Sequence, residues 1–117
     1  MTNEEPWPRD WLRGVLELCV LRAIAEGPTY GYAIATSLED SGLGHVKGGT
    51  LYPLLSRFES AGLVSVEWRA GEGGPGRKYY RLTEAGYAEL RDGASRWTRF
   101  TQLTRKAIDT TTTEDAI

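Results

Sequence analysis

The 117-residue sequence predicts a mainly α-helical fold with one small β-hairpin and a single long helix at its end. Three observations carry this. Apolar residues recur at helical spacing in three stretches before residue 62. One pair of alternating segments, 63–68 and 77–82, brackets a glycine-rich link. A final stripe of Leu90, Ala94, Trp97, Phe100, Leu103 and Ala107 runs to about residue 108 without a breaker. The length suits one domain, and 40% hydrophobic with 26% charged residues is too apolar for wholesale disorder. The expected organisation is an arm over 1–9, a head over 10–83, a helix over 84–108 and a polar, threonine-rich, disordered tail over 109–117.

Asp10 is placed to cap a first helix that runs to about Glu26, where Gly27 and Pro28 stop it. Its apolar residues, among them Leu12, Val15, Leu16, Val20 and Ile24, cover most of the circumference, so it is buried on more than one side. Thr29 is placed to cap a second helix over Tyr30 to Asp40, and Gly42 and Gly44 then break the chain. A third helix spans Gly48 to Ala61, with Leu51, Leu54, Leu55 and Phe58 on one stripe. Gly49, Tyr52, Pro53, Ser56 and Arg57 fall on the opposite side with Thr50 on its flank, and Pro53 is expected within the first turn, where its missing N–H is no loss.

Leu63 to Trp68 alternates as a half-buried strand with Val64, Val66 and Trp68 inward. Ala70 to Gly76 is the link, and Arg77 to Leu82 returns antiparallel, with Tyr79 and Tyr80 on opposite faces. Thr83 caps the last helix, Glu84 to about Ile108, roughly 37 Å long at about 1.5 Å per residue. Gly86, Gly93 and three threonines make that helix weak in isolation, and its stripe outruns what a three-helix head can cover. A second copy of the chain is the simplest cover.

Composition excludes several classes. Cys19 and His45 are the only cysteine and histidine, so no intrachain disulfide forms and no Cys/His zinc set assembles. A reducing cytoplasm fits. No apolar run is long enough for a membrane span and no secretory leader is visible. No catalytic set or P-loop is present, and the link Gly71 to Gly76 joins two strands rather than a strand and a helix. An enzyme, a metal and a cofactor are therefore not expected. The formal charge of −2 argues against nucleic acid, but residues 47–81 carry six basic groups against three acidic ones, so a local positive field survives.

Helix, helix, helix, hairpin, helix is the layout of a winged helix-turn-helix. Three segments in that order, GPTYGYAI (27–34), GGTLYPLLSRFESAGLV (48–64) and GGPGRKYYRLTEAG (73–86), closely resemble the PadR family of bacterial transcriptional regulators. With one helix after the wing, the chain is similar to the short members. The resemblance implies a homodimer that binds an inverted-repeat operator in double-stranded DNA, usually as a repressor, and is released by a small effector. In the multidrug-sensing short members a tryptophan on the final helix stacks on planar ligands at the dimer centre, and Trp97 occupies a similar place. Tyr30 stands where many relatives carry histidine.

An outward face free of carboxylates until Glu59 suits a recognition helix in the major groove. Gly49 lies on that face, Thr50 and Tyr52 are expected at base edges or phosphates, and Lys47 and Arg57 at phosphates. Arg77 and Lys78 put two cations at a glycine-rich wing tip suited to phosphate or minor-groove contact. Tyr32, at the start of the second helix, reads equally as core or as a phosphate neighbour. Leu12, Val15, Leu90, Trp97, Phe100 and Leu103 are the expected dimer interface. Trp97, with room left by Gly93 and Gly14 and with Trp11 and Trp7 as lining, is the expected effector site, and simple helix packing is the competing account of Trp97. The competing functions are a winged-helix module for a protein partner, and a regulator with no small-molecule effector.

Overall fold

The computed structural model describes residues 7–71 and 74–111. Most of the predicted arm, the end of the predicted tail and the two residues at the wing tip lie outside the described residues. The elements are α1 (Arg9–Ala25), β1 (Thr29–Tyr30), α2 (Gly31–Asp40), α3 (Gly48–Ser60), β2 (Val64–Gly71), β3 (Gly74–Leu82) and α4 (Glu84–Ile108). The strands form one antiparallel sheet in the order β1-β3-β2.

The core lies where α1, α2 and α3 meet the base of the sheet. Leu16, Val20, Leu21 and Ile24 of α1 join Ile34 and Leu38 of α2, the α3 stripe Leu51, Leu54, Leu55 and Phe58, and Val64, Tyr80 and Leu82 of the strands. Removing each Leu or Phe side chain from water contributes about 1.5–3 kcal/mol, so α3 alone anchors the head through four side chains. α4 follows the wing through a cap that the sequence predicts. Thr83 Oγ1 accepts from the Gly86 N–H at 3.1 Å and donates to the Gly62 carbonyl at 2.6 Å, tying the helix start to the α3–β2 turn. α4 then runs antiparallel to α1, with the Tyr87 hydroxyl reaching the Ala25 carbonyl at 3.4 Å and Leu18 beneath Gly93. Only Gly86 of its 25 residues is buried. The radius of gyration, 17.4 Å, exceeds the roughly 13 Å of a compact chain of about this size because α4 projects from the head.

Several boundaries differ from the expectations, each for a physical reason. Asp10 does not cap α1: Pro8 occupies the N-cap and Asp10 lies in the first turn, 3.8 Å from Arg13. Thr29 does not cap α2, because Thr29 and Tyr30 extend to pair with Tyr80 and Tyr79, and α2 starts at Gly31 without a side-chain cap. The hairpin is longer than expected, since Arg69 pairs with Arg77 and Gly71 with Gly74, which takes Ala70 to Gly76 largely into strand. Trp68 is not part of the core. It shares a face with Val66, but the strands overhang the head there and leave it 69% exposed. Pro53 is the sixth residue of α3 rather than a first-turn residue, and it leaves the Gly49 carbonyl without its helical donor.

Candidate nucleic-acid interface

The outward face of α3 is open along its length. Lys47, Gly48, Gly49, Thr50, Tyr52, Ser56 and Arg57 are all exposed, while the opposite stripe is buried. The Tyr52 ring lies directly over Gly31, where a Cβ would overlap its hydroxyl and Cζ. Glycine at that position therefore lets the start of α2 dock against α3, and Tyr32 beside it stands 74% exposed. The exposure settles its two readings against the core.

The wing presents two different faces. On the face towards α3, Tyr32, Tyr52, Ser56, Trp68 and Lys78 are among the residues that line a cleft of about 500 Å³. On the other face, Arg77 lies over the Tyr30 ring at 4.5 Å, Tyr30 packs on Tyr79 at 5.2 Å, and Arg69 lies over Tyr79 at 4.3 Å. This is a ladder of cation–π and aromatic contacts across three strands, and it holds both guanidinium groups in place while leaving their charge intact. Tyr30 and Tyr79 are its two inner rungs.

Not every predicted cation is free. Lys78 Nζ bonds Glu59 Oε1 at 3.1 Å, and that hydrogen bond holds the ammonium pKa above its ordinary value. Arg57 lies 3.7 Å from Glu17 of α1, and Arg69 is 3.1 Å from Glu67. These pairs are solvent-exposed, so each is worth little and opens readily for a stronger anion. Lys47 and Arg81 have no ion pair among the described residues. Arg77 sits within the strand rather than at the tip. Tyr80, the inward partner of Tyr79, is buried, and burial pushes its hydroxyl pKa up.

The residues expected at an effector site are not brought together. Trp97 lines a cleft of about 420 Å³ with Val15, Leu18, Cys19, Leu90 and Ala94, between α1, α2 and α4. The space beside Gly93 is occupied by Leu18. Trp11 and Gly14 lie on the exposed side of α1 and do not line that cleft. Trp7 donates its indole N–H to the Gly42 carbonyl at 2.8 Å. Burial raises the Cys19 thiol pKa. Of the expected dimer residues, Phe100 and Leu103 are each 54% exposed, and Leu12, Val15, Leu90 and Trp97 are half-buried. Sequence reasoning missed Trp68, Arg69 and the tyrosine ladder. Their only signal was the β2–β3 register, which pairs Trp68 with Lys78 and Arg69 with Arg77.

Three packed helices, a helix with a buried stripe and a bare outer face, and an antiparallel wing of aromatic and basic residues define a winged helix-turn-helix protein. The profile of the "Transcriptional regulator PadR-like family" matches residues 20–92, and the chain belongs to that family, one of transcriptional regulators rather than enzymes. A PadR family regulator from Eggerthella lenta, known from its crystal structure, is 40% identical with a TM-score of 0.79, covering 86% of this chain and 88% of that one. The transcriptional regulator Rv3488 of Mycobacterium tuberculosis is 37% identical over 82 residues, 70% of this chain and 75% of that one. PadR of Bacillus subtilis, solved in complex with operator DNA, shares the fold at 24% identity and a TM-score of 0.63, over 68% of this chain and 46% of that one. Among the described residues no helix is long and apolar enough to cross a membrane.

Proposed function

We propose that two copies of this chain bind an inverted repeat in double-stranded DNA and repress the adjacent promoter. The observation that carries this reading is the α3 outer face, exposed from Lys47 to Arg57 and free of carboxylates, flanked by the cationic wing. In this arrangement Gly49, Thr50 and Tyr52 meet the major groove, Lys47 and Arg57 meet phosphates, and Arg77 and Lys78 grip the backbone beside it. Arg57 and Lys78 exchange Glu17 and Glu59 for phosphate. Tyr32 borders the same surface. That the Bacillus subtilis neighbour was solved on operator DNA supports the same use of the fold.

The dimer forms through α1 and α4, where Leu12, Val15, Leu90 and Trp97 are half-buried and Phe100 and Leu103 are each 54% exposed in the single subunit. It sets the two α3 helices about 34 Å apart, one turn of DNA. The effector, a planar aromatic or hydrophobic compound, enters the cleft at Trp97 and favours a spacing that no longer fits. Leu18 filling the space beside Gly93 favours instead a regulator in which Trp97 is packing and no effector binds.

Selection of bound DNA from a random pool tests the main reading. An inverted repeat with half-sites about 10 base pairs apart is expected, with affinity falling as salt rises at a log–log slope near −6 for six to eight phosphate contacts. No enrichment at low salt would point to a winged-helix module for a protein partner. Quenching of tryptophan fluorescence by a planar aromatic cation, abolished in Trp97→Phe, tests the effector site, and quenching that persists in the variant removes it.

A further inference from the structure

A second cationic site lies on the other flank of α3, at a place the motifs do not mark. The start of α1 and the start of α3 enclose a cleft of about 300 Å³ lined by Arg9, Arg13, His45, Lys47 and Thr50 among apolar side chains, with no carboxylate among its described lining residues. Among the described residues its counter-charges are loose and exposed: Asp10 is 3.8 Å from Arg13 and Glu39 is 3.9 Å from His45. Arg9 and Lys47 have no ion pair among the described residues.

The arrangement is electrostatically unfavourable as it stands. Arg9 is the first residue of α1 and Lys47 the N-cap of α3, so cations sit at the positive ends of two helices, neither of which has a side-chain cap. The first bonded amides of α3 are those of Thr50 and Leu51, both to the Lys47 carbonyl at 2.9 Å, which leaves the Gly48 and Gly49 N–H groups without acceptors. Gly49 is required by nothing inside the protein. A Cβ there would meet open space, and the residue does not need a positive φ. A glycine in a helix without an internal reason fits a surface that something external approaches closely.

An anion in the cleft pairs the free guanidinium and ammonium groups and places negative charge near both helix starts, close to the unbonded amides of the first turn of α3. At about 100° per residue, Thr50 and Tyr52 lie about 160° apart on α3, so this cleft and the wing stand on opposite flanks of the proposed recognition helix. We infer that the cleft holds a DNA backbone phosphate, with Arg9 and Arg13 of α1 as its ligands, so that each half-site is gripped from both sides of α3. This rests on the proposed DNA binding and extends the interface to a helix outside the helix-turn-helix unit.

The test uses the full-length protein and the DNA recovered by selection. Salt titrations compare wild type with Arg9→Gln, Arg13→Gln, the double variant, Arg9→Lys and, on the other flank, Arg77→Ala. The double variant should lower the magnitude of the salt slope by about 1 and each single glutamine variant by less, and all should weaken operator and random DNA alike, because a phosphate contact carries no sequence information. Arg9→Lys should keep the slope, which a merely structural arginine would not explain. Ethylation of that phosphate in each half-site should weaken wild type to the level of the double variant and be without further effect on the double variant. All these side chains are exposed, and unchanged helicity and melting temperature verify folding. If wild type binds, Arg77→Ala weakens it and the α1 variants match wild type, the phosphate cleft is overturned while DNA binding stands. If wild type binds no DNA at low salt, both fall. Inorganic phosphate that raises the melting temperature through Arg9 and Arg13, with an unchanged salt slope on DNA, would make the cleft a small-anion site and overturn the inference as well.

Discussion

α3 and α4 are written in the same periodic code and end in opposite environments. α3 carries Leu51, Leu54, Leu55 and Phe58, all 3% exposed or less. α4 carries Leu90, Trp97, Phe100 and Leu103 at similar spacing, yet only Gly86 is buried, and Phe100, Leu103 and Ile108 are 54%, 54% and 74% exposed. A helical stripe tells that a face will be covered and not by which chain. The α3 stripe is met by α1, α2 and the sheet of its own subunit. The α4 stripe outlasts α1, and its far end is uncovered within the subunit; the proposed dimer is what would cover it.

The difference is broken most directly by emptying the α3 stripe. Leu55→Ala removes a fully buried side chain from the centre of the head, and a loss of about 2–5 kcal/mol is expected in chemical unfolding. At the α4 end, only the first turn should behave the same way. A Cβ at Gly86 would run into the Leu63 backbone carbonyl and the tip of Leu82, and a carbonyl anchored by the turn moves less easily than a side chain. Gly86→Ala should cost about 1–3 kcal/mol despite its better helix propensity. A stability equal to or above wild type would mean that α4 is not docked at its start.

Farther along α4 the expected effect moves from folding to association. Phe100→Ser with Leu103→Ser should leave helicity and the head intact and weaken the dimer at least tenfold, about 1.4 kcal/mol, read by sedimentation over a concentration series. Loss of helicity comparable to Leu55→Ala would make the α4 stripe a core element of its own subunit, and the contrast with α3 would disappear.

What was legible in the sequence follows the same division. The α3 stripe, the Thr83 cap and the limits of α4 were readable because each is decided within a few residues, by helical period and by one hydroxyl. β1 was not, since two residues become a strand only through partners fifty positions away. Trp68 obeys its alternation and is still exposed, because alternation specifies a face and not how far the core extends beneath it. The cationic face was legible as a charge count, but the pairing of Arg57 with Glu17 and of Lys78 with Glu59 joins distant elements and could not be read locally. Arg9 and Arg13 were passed over for the same reason: they meet Lys47 only in three dimensions. Gly93 was noticed for its small size, with the opposite meaning, since its missing side chain is taken up by Leu18.

That last residue marks where α4 changes from a docked helix to an uncovered one, and it carries the smallest expected effect. A Cβ at Gly93 would overlap Leu18 Cδ2, the mobile end of a half-buried side chain, with no backbone in the way. Two terms then oppose each other. Alanine gains about 0.8–1 kcal/mol of helix propensity over glycine, and pushing Leu18 off its rotamer costs about 0.5–1.5 kcal/mol. Gly93→Ala alone should therefore fall within about 1 kcal/mol of wild type. Shortening the neighbour separates the terms: in a Leu18→Ala background the overlap is gone, and Gly93→Ala should become stabilising by nearly its full propensity. The coupling between the two sites, measured as a double-mutant cycle, reads the closeness of α1 and α4 at this crossing. Additive effects would mean that the helices stand further apart in solution, and that the uncovered stretch of α4 begins before Gly93.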